Sequence, residues 1–507
     1  MPFNSVLSWI IKKRIHQIEL FIKYPADVQQ EVFRNLIDTA KNSEFGKSYN
    51  FANISNYSEF KNNVPIQDYE DIKPYVTRLQ HGEKNLLWPG EIKWFAKSSG
   101  TTNDKSKFIP VTREALENCH YKGGKDLIAL YYHNNPKTKL YNGKTLVIGG
   151  SNRNNENNKD SYIGDLSAII INNLPFWVEA KRVPEKSIAL MEEWEEKIEK
   201  IIESTKNEDV TNIVGVPSWT LVILKKILAD YQIDDINKIW PNLELFMHGG
   251  ISFLPYEQQF KSIIKNSEMK YYQSYNASEG YFGVQDSNFS DDMLLMLDYG
   301  IFYEFIPLDT LGNESSTIIS LSEVEADTIY SVVISTNAGL WRYKIGDTIK
   351  FTSLVPYRFK VTGRTKHFIN AFGEELMIDN AENALQKASI ATNAYVREYT
   401  AGPIYMAGSH VGRHEWLIEF ENEPCDINLF MQTLDNTLKN INSDYEAKRT
   451  KNLALHAPLV RIMPKDSFYK WLKSKNKLGG QHKVPRLSNH REYINEILDF
   501  TFKTSNA

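Results

Sequence analysis

Cysteine is nearly missing: only Cys119 and Cys425 occur in 507 residues. Two thiols cannot build a disulfide framework or a cysteine-rich zinc site. The cytosol is the compartment expected for such a chain. Long apolar runs are missing too. The first apolar stretch, residues 6–11, is broken by Ser8 and followed at once by Lys12, Lys13 and Arg14, the reverse of a secretory leader. No run approaches the roughly 18 apolar residues of a membrane span. Nor is there a dominant sign of charge. Lys and Arg number 59 against 63 Asp and Glu, a net charge of −4. A field that weak gathers neither nucleic acid nor an anionic membrane, so neither partner is expected. Familiar catalytic signatures are absent: no G-x-G-x-x-G, no G-x-S-x-G and no H-E-x-x-H. Gly46-Lys47-Ser48 ends like a Walker A loop, but Lys41 stands where that motif requires glycine. Cys119 and His120 are adjacent in sequence, and such neighbours rarely face each other, so no thiol nucleophile is read there.

What remains is ordinary soluble composition, 42% apolar and 24% charged, which argues against wholesale disorder. At 12% aromatic the chain has ample material for cores and for pockets that stack flat ligands. Apolar residues recur at three- and four-residue spacing through the first 50 residues, interrupted by Pro25, and again over 185–204. Both segments read as helical. Strands are expected at 92–96, 145–148, 212–216, 243–247, 293–297, 301–306 and 330–335. Several end in Gly149–Gly150, Gly215 or Gly249–Gly250. Strands that alternate with helices and close in glycine turns define an α/β fold, whose ligands bind beyond the carboxyl ends of the strands. Residues 151–160 (SNRNNENNKD) hold five Asn and no apolar side chain, and read as a surface loop. The character changes near 360. The expected division is 1–363, a large α/β domain, and 364–507, a smaller α+β unit with strands at 395–399 and 416–420 and a helix at 426–442. Between Lys465 and Arg486 six Lys and one Arg face only Asp466, which is either a solvated surface or a local anion site.

The segment richest in chemistry is 98–107 (SSGTTNDKSK), after a strand-like run. Ser98, Ser99, Thr101 and Thr102 flank Gly100, with Lys105 and Lys107 close by. Hydroxyls and a flexible backbone can offer several donors to one anion, which suits phosphate oxygens; an ordinary polar turn is the alternative. Glu279 follows Ser278 and precedes Gly280, a strand-end position where a carboxylate can hold Mg²⁺ or serve only as a surface turn. Asp347 is a carboxylate, a group able to accept hydrogen bonds from ribose hydroxyls.

These segments, taken in order, resemble the Gretchen Hagen acyl acid-amido synthetases, the auxin-responsive promoter family within the adenylate-forming superfamily. Ser98–Thr102, followed by Lys and Pro, is similar to the family's phosphate loop, with Asp104 where the family often has glycine. Tyr275-Asn276-Ala277-Ser278-Glu279-Gly280 is similar to its Y-x-S-S-E motif. Residues 336–347 (TNAGLWRYKIGD) look like its T-x-x-G-L-Y-R-Y-R-V-G-D. Residues 480–486 (GQHKVPR) resemble its C-terminal G-Q-F-K-x-P-R. Gly363-Arg364 and Gly373-Glu374-Glu375 are similar to the hinge region of adenylate-forming enzymes. The resemblance spans nearly the whole chain.

What it implies is a ligase that uses ATP and Mg²⁺ to turn a carboxylic acid into an acyl-adenylate and passes the acyl group to an amino acid amine. The roles it implies are as follows. Ser98, Ser99, Gly100, Thr101, Thr102 and Lys107 hold phosphates; Tyr275, Ser278 and Asp347 hold the nucleotide; Glu279 holds Mg²⁺; Arg364 and Lys483 meet the charge that develops in adenylation. Gly249 and Gly250 are candidates to line an adenine pocket beside His248, and Phe359 is read either as an adenine-stacking ring or as core. The small unit is expected to reorient about residues 360–367 between the two half-reactions, and the protein to be a monomer or weak dimer. The alternatives are an acyl- or aryl-CoA ligase sharing the first step, and a nucleotide-binding protein without catalysis.

Overall fold

A computed structural model describes residues 2–99, 106–155, 158–251, 253, 256–311, 317–364, 368–406, 411–452, 454–475 and 484–503. The chain opens with two helices, Pro2–Lys23 and Pro25–Ala40, hinged at Tyr24 with Pro25 at the first helical position, where its missing N–H costs nothing. A four-stranded sheet follows, built from β1 (Trp94–Ser99), β2 (Ser106–Val111), β4 (Asn152–Asn155) and β5 (Asn158–Gly164) in the order β2-β1-β5-β4. The Asn-rich segment is therefore not a plain loop. Its two ends pair antiparallel as β4 and β5. Asn155 is buried, and its amide donates to the Gln80 carbonyl at 2.9 Å and to Ser161 Oγ at 2.8 Å. Polar composition suggested a loop, but the amide supplies hydrogen bonds that hold the strand against its neighbour.

The central sheet has twelve strands. Its parallel half contains β3 (Lys144–Val147), β6 (Arg182–Val183), β7 (Val210–Gly215), β8 (Leu245–Gly249) and β9 (Lys270–Ala277), in the order β6-β3-β7-β8-β9. Its antiparallel half contains β10 (Gly280–Val284), β11 (Met293–Leu295), β12 (Ile301–Pro307), β13 (Ile319–Ser320), β14 (Ile329–Thr336), β15 (Tyr343–Leu354) and β16 (Tyr357–Arg364). The two halves meet at β9, whose tight hairpin into β10 reverses the chain at Ser278–Glu279. Six of the strands expected before residue 340 are present in this sheet, with no end shifted by more than two residues. The helix expected over 185–204 is split into Lys186–Ala189 and Trp194–Thr205. The break at 190–193 turns Trp194 onto Trp219, and the two indoles stack 3.9 Å apart.

The last part of the chain has a two-stranded hairpin, β17 (Phe368–Ile369) with β18 (Leu376–Met377), and a three-stranded sheet of β19 (Tyr395–Ile404), β20 (Arg413–Asn422) and β21 (Leu459–Met463). The helices Ile378–Thr392 and Ile427–Ile441 cover that sheet. The second begins where Asp426 accepts hydrogen bonds from the N–H groups of Asn428 and Leu429. Three of the seven cations of the basic segment are paired among the described residues: Lys465 with Glu421, Lys475 with Glu496 and Arg486 with Glu398. This unit docks on the parallel half of the large sheet. Phe372 and Ile369 share a buried cluster with Trp219, Tyr256 and Phe260. Tyr256 Oη donates to the Ala371 carbonyl, Ser218 Oγ to that of Phe372 and Gln259 to that of Met406.

Candidate active site

The carboxyl ends of the parallel strands converge on one edge of the sheet, and there most described motif residues meet. Gly249 ends β8 opposite Ser274 of β9, and a side chain on it would press a Cβ to 2.4 Å from the Ser274 carbonyl oxygen. Gly250 follows with φ +81°, a left-handed conformation that glycine adopts without strain. The neighbouring strand accounts for Gly249 and the backbone turn for Gly250, and together they leave bare backbone at the strand end. His248, just before them, is buried and stacked 4.2 Å from Phe253. Burial pulls its imidazole down to about 3, so it is neutral at physiological pH.

One strand over, Tyr275 Oη donates to an Asp347 carboxylate oxygen. Two motif segments 72 residues apart are thereby joined. Asp347 reaches this place because β15 bulges. Ser331 pairs with Thr348 and Val333 with Lys344, so three residues oppose one, and Gly346 at φ +87° makes the bend. A bulge of this kind re-aims a side chain out of the ladder. Across the other ladder Asp347 lies opposite Arg364, the last residue of β16. Ser278 and Glu279 form the β9–β10 turn at the same edge. Asn276, within the same motif, shares a 2.9 Å hydrogen bond with His120. His120 sits on the π-helical turn Leu116–His120, and burial lowers its pKa to about 4. Sequence spacing dismissed Cys119–His120 as a nucleophilic pair. The structure agrees: Cys119 accepts from the Tyr281 N–H, and burial pushes its thiol up to about 12. It also shows what sequence spacing missed, that His120 buttresses the Tyr275–Glu279 segment.

Ser98 and Lys107 face each other as a register pair near the end of the ladder where β1 leads into β2, and Lys107 Nζ lies 5.8 Å from the Tyr69 ring centre. Ser99 is the last residue of β1. Gly100, Thr101, Thr102 and Lys483 lie outside the described residues. Phe359 is a correction. Its side chain is fully buried, its ring edge is seated on Gly283, and it packs near Tyr275 and Phe351. No ring face is open to an adenine, so Phe359 belongs to the core. Arg342, in the centre of the third motif, is likewise structural. Its guanidinium is buried against Glu304 and donates to the carbonyls of Lys61 and Val64. It staples the start of β15 to the N-terminal helices, five residues before Asp347.

The docked C-terminal unit completes the edge. Asn370, at the end of β17, donates to the Gly250 carbonyl at 3.3 Å. Glu374 accepts the N–H groups of Ala371 and Phe372 and pairs with buried His414 at 2.7 Å, which fixes the loop between β17 and β18. Lys448 Nζ lies 4.8 Å from the Trp219 ring. Among the described residues no three His, Cys, Asp or Glu side chains gather to hold a metal ion. No helix among them is long and apolar enough to cross a membrane.

A large α/β part whose parallel strands end at one edge, with a smaller C-terminal unit docked over that edge, is the architecture of adenylate-forming enzymes. The fold matches that of the GH3.15 acyl acid amido synthetase with a TM-score of 0.59, at 17% identity, over 96% of this chain and 95% of that one. It also matches a 2-hydroxyisobutyryl-CoA ligase with a TM-score of 0.57, at 10% identity, over 96% and 93%. Within that class the chain belongs to the GH3 family: models of the family's N-terminal, central and C-terminal domains match residues 14–269, 294–364 and 379–492. Similar curated proteins include the indole-3-acetic acid-amido synthetase GH3.3 of Arabidopsis thaliana, 21% identical over 96% of this chain and 93% of that protein. Another is the jasmonoyl–L-amino acid synthetase GH3.5 of Oryza sativa subsp. japonica, 23% identical over 94% and 95%.

Proposed function

We propose that the protein is an acyl acid-amido synthetase that activates a carboxylic acid with ATP and conjugates it to an amino acid. The observation that carries this reading is the Tyr275–Asp347 hydrogen bond at the strand ends, beside the bare backbone of Gly249–Gly250. It draws two segments of a nucleotide-binding pattern into one place within a chain of this family. In this reading Asp347 accepts the ribose hydroxyls, and Tyr275 holds its carboxylate in position. Ser98, Ser99, Gly100, Thr101, Thr102 and Lys107 receive the phosphates. Arg364 and Lys483 offset the charge that builds on the α-phosphate as the substrate carboxylate attacks. Positioning and fixed charge are the protein's whole contribution to this step, because the carboxylate itself is the nucleophile.

Glu279 is one carboxylate on a turn, which fits a Mg²⁺ ion carried mainly by nucleotide phosphates rather than a resident metal site. When bound, the ion supplies neutralisation of phosphate charge. Residues 1–363 and 364–507 are taken as the two moving parts, working in the cytoplasm as a monomer or weak dimer.

The test is exchange of labelled pyrophosphate into ATP across a panel of carboxylic acids. Exchange that depends on the acid is expected. A folded protein that exchanges with none of them would refute the reading. Mass analysis of the product formed from preformed adenylate, offered amino acids or coenzyme A, is expected to give the amide.

A further inference from the structure

Where the C-terminal unit meets the large part, a group of charges stands that none of the adenylation steps uses. Asp444 and Lys448 lie one turn apart on the helix Ser443–Arg449, and Lys448 reaches Trp219 of the large part. Asp444 is surrounded by Glu375 of the β17–β18 loop, Lys448 of its own helix, Asp165 after β5 and Lys97 of β1. Both Asp444 and Lys448 are half-buried. Among the described residues neither side chain makes a hydrogen bond or a salt bridge within 4 Å. The neighbouring carboxylate Asp165 is engaged by the Ser151 N–H at 2.9 Å.

The packing around Lys448 is built rather than incidental. Lys448 lies over Trp219, Trp219 stacks on Trp194, and Lys197 caps the far face of Trp194 at 4.5 Å. Lys197 is anchored in turn to the Gly149 carbonyl at 2.6 Å, at the end of β3. Gly373 lets the lysine pass: a Cβ there would lie 3.1 Å from Lys448 Cε. Glu375 is held with φ +38°, a left-handed conformation uncommon for a residue with a side chain. Partly desolvated charges with no ion-pair partner are costly, the more so for Asp444, because Lys448 has the Trp219 ring face, and a ligand of opposite charge would offset that cost.

We propose that this cluster receives the zwitterionic head of the amino acid acceptor, Asp444 taking the ammonium group and Lys448 the carboxylate. The assignment rests on the amido synthetase reading above. An α-amino acid carries its two charges one carbon apart, and residues four apart on a helix place their Cβ atoms about 5–6 Å from each other, close enough to grip both. The site lies at the carboxyl ends of the same strands, on the face that the C-terminal unit brings to the large sheet.

The chemistry follows. An ammonium nitrogen has no lone pair and cannot attack. Its proton passes to the Asp444 carboxylate. The freed nitrogen lone pair then forms a C–N bond to the acyl carbon of the adenylate. The C–O bond to the phosphate breaks, and AMP leaves with that electron pair. The second nitrogen proton is lost to solvent as the tetrahedral intermediate collapses. Burial and the nearby Glu375 push the Asp444 carboxyl up to about 7, against the opposing pull of Lys448 and Lys97, so it can take a proton near neutral pH.

Two variants test this with pyrophosphate exchange and amide formation measured side by side. Asp444→Asn should keep exchange within about threefold of wild type while amide formation from preformed adenylate falls roughly 10²-fold or more, the scale of lost general-base catalysis. The wild-type amide step should rise with pH through an inflection near 7, and D444N should lack it. Lys448→Ala should raise KM for the amino acid by about 10- to 100-fold, as for a lost charged hydrogen bond, and leave KM for an amine without a carboxylate unchanged. Wild-type amide rates in D444N, or equal losses for amino acid and simple amine in K448A, would overturn the assignment. Absence of exchange in the wild-type protein would instead refute the adenylation reading beneath it.

Discussion

Asp347 and Tyr275 set the first expectation. A carboxylate that accepts ribose hydroxyls makes charged hydrogen bonds, each worth about 1.5–3 kcal/mol. Asp347→Ala should therefore raise the KM for ATP in pyrophosphate exchange by roughly 10- to 100-fold, with KM for the amino acid in the second step unmoved. Tyr275→Phe removes the phenol that steadies the carboxylate and should show a smaller effect of the same kind. A D347A protein with wild-type KM for ATP would put the nucleotide elsewhere. Gly249 makes a different demand. A methyl group there meets the Ser274 carbonyl at 2.4 Å, and backbone has to yield. Gly249→Ala should cost about 1–3 kcal/mol, the usual penalty of overpacking, seen as a lower melting temperature. The same substitution at Gly250 has room, with Val216 3.5 Å away, but strains the backbone at φ +81°.

At the scale of elements, the helix that carries Asp444 and Lys448 is held by Asp435. That carboxylate lies on the preceding helix, Ile427–Ile441, and accepts Arg449 Nε at 2.7 Å, the Tyr445 hydroxyl at 2.8 Å and Lys439 at 3.1 Å. Burial alone would raise its pKa, but the Arg449 guanidinium and these donors outweigh it and hold Asp435 below the ordinary carboxylate range. A group depressed in the folded state stabilises it above its unfolded pKa of about 3.9 and loses that contribution as pH falls through the folded value. Asp435→Asn should thus destabilise the C-terminal unit at pH 7 by about 3–5 kcal/mol, as when one partner of a buried pair is removed, and the difference from wild type should shrink in strong acid. Urea melts at pH 7 and pH 3 measure both. Elements like these were only partly legible in the sequence. The helix at 426–442 could be read because Asp426 and a regular apolar stripe mark it, and the parallel strands because they end in glycines. β4 and β5 could not, because Asn155 works through a buried amide that composition scores as loop. Phe359 and Arg342 could not be sorted from ligand-facing residues, since a motif records which residues recur, not which way they face. The approach of Lys97 and Asp165 to Asp444 spans both units and leaves no local pattern.

For the whole molecule, the polar links that tie down the C-terminal unit among the described residues include Asn370 to Gly250, Ser218 to Phe372, Tyr256 to Ala371, Gln259 to Met406 and Lys451 to Glu195. Beneath them Phe372 and Ile369 contribute a modest apolar contact to the cluster around Trp219 and Tyr256. Such an interface can open and close at a cost that binding energy supplies. If residues 364–507 reorient between half-reactions, the distance between the two units has to change with the chemical state of the site. The cysteine poverty noted at the outset makes this measurable. Cys425 is exposed on the C-terminal unit, whereas Cys119 is buried with its thiol pushed up to about 12, so labelling at neutral pH falls on Cys425. Phe289 is almost completely exposed on the large part, and Phe289→Cys adds a second handle there. Paired spin labels at 289 and 425 should report one main distance with ATP and a second with a non-hydrolysable acyl-adenylate analogue plus amino acid. A single distance, unchanged through all three conditions of free, ATP-bound and analogue-bound protein, would mean that both steps run in the docked arrangement seen here. Asp444 and Lys448 would then have to share one closed site with the nucleotide from start to finish.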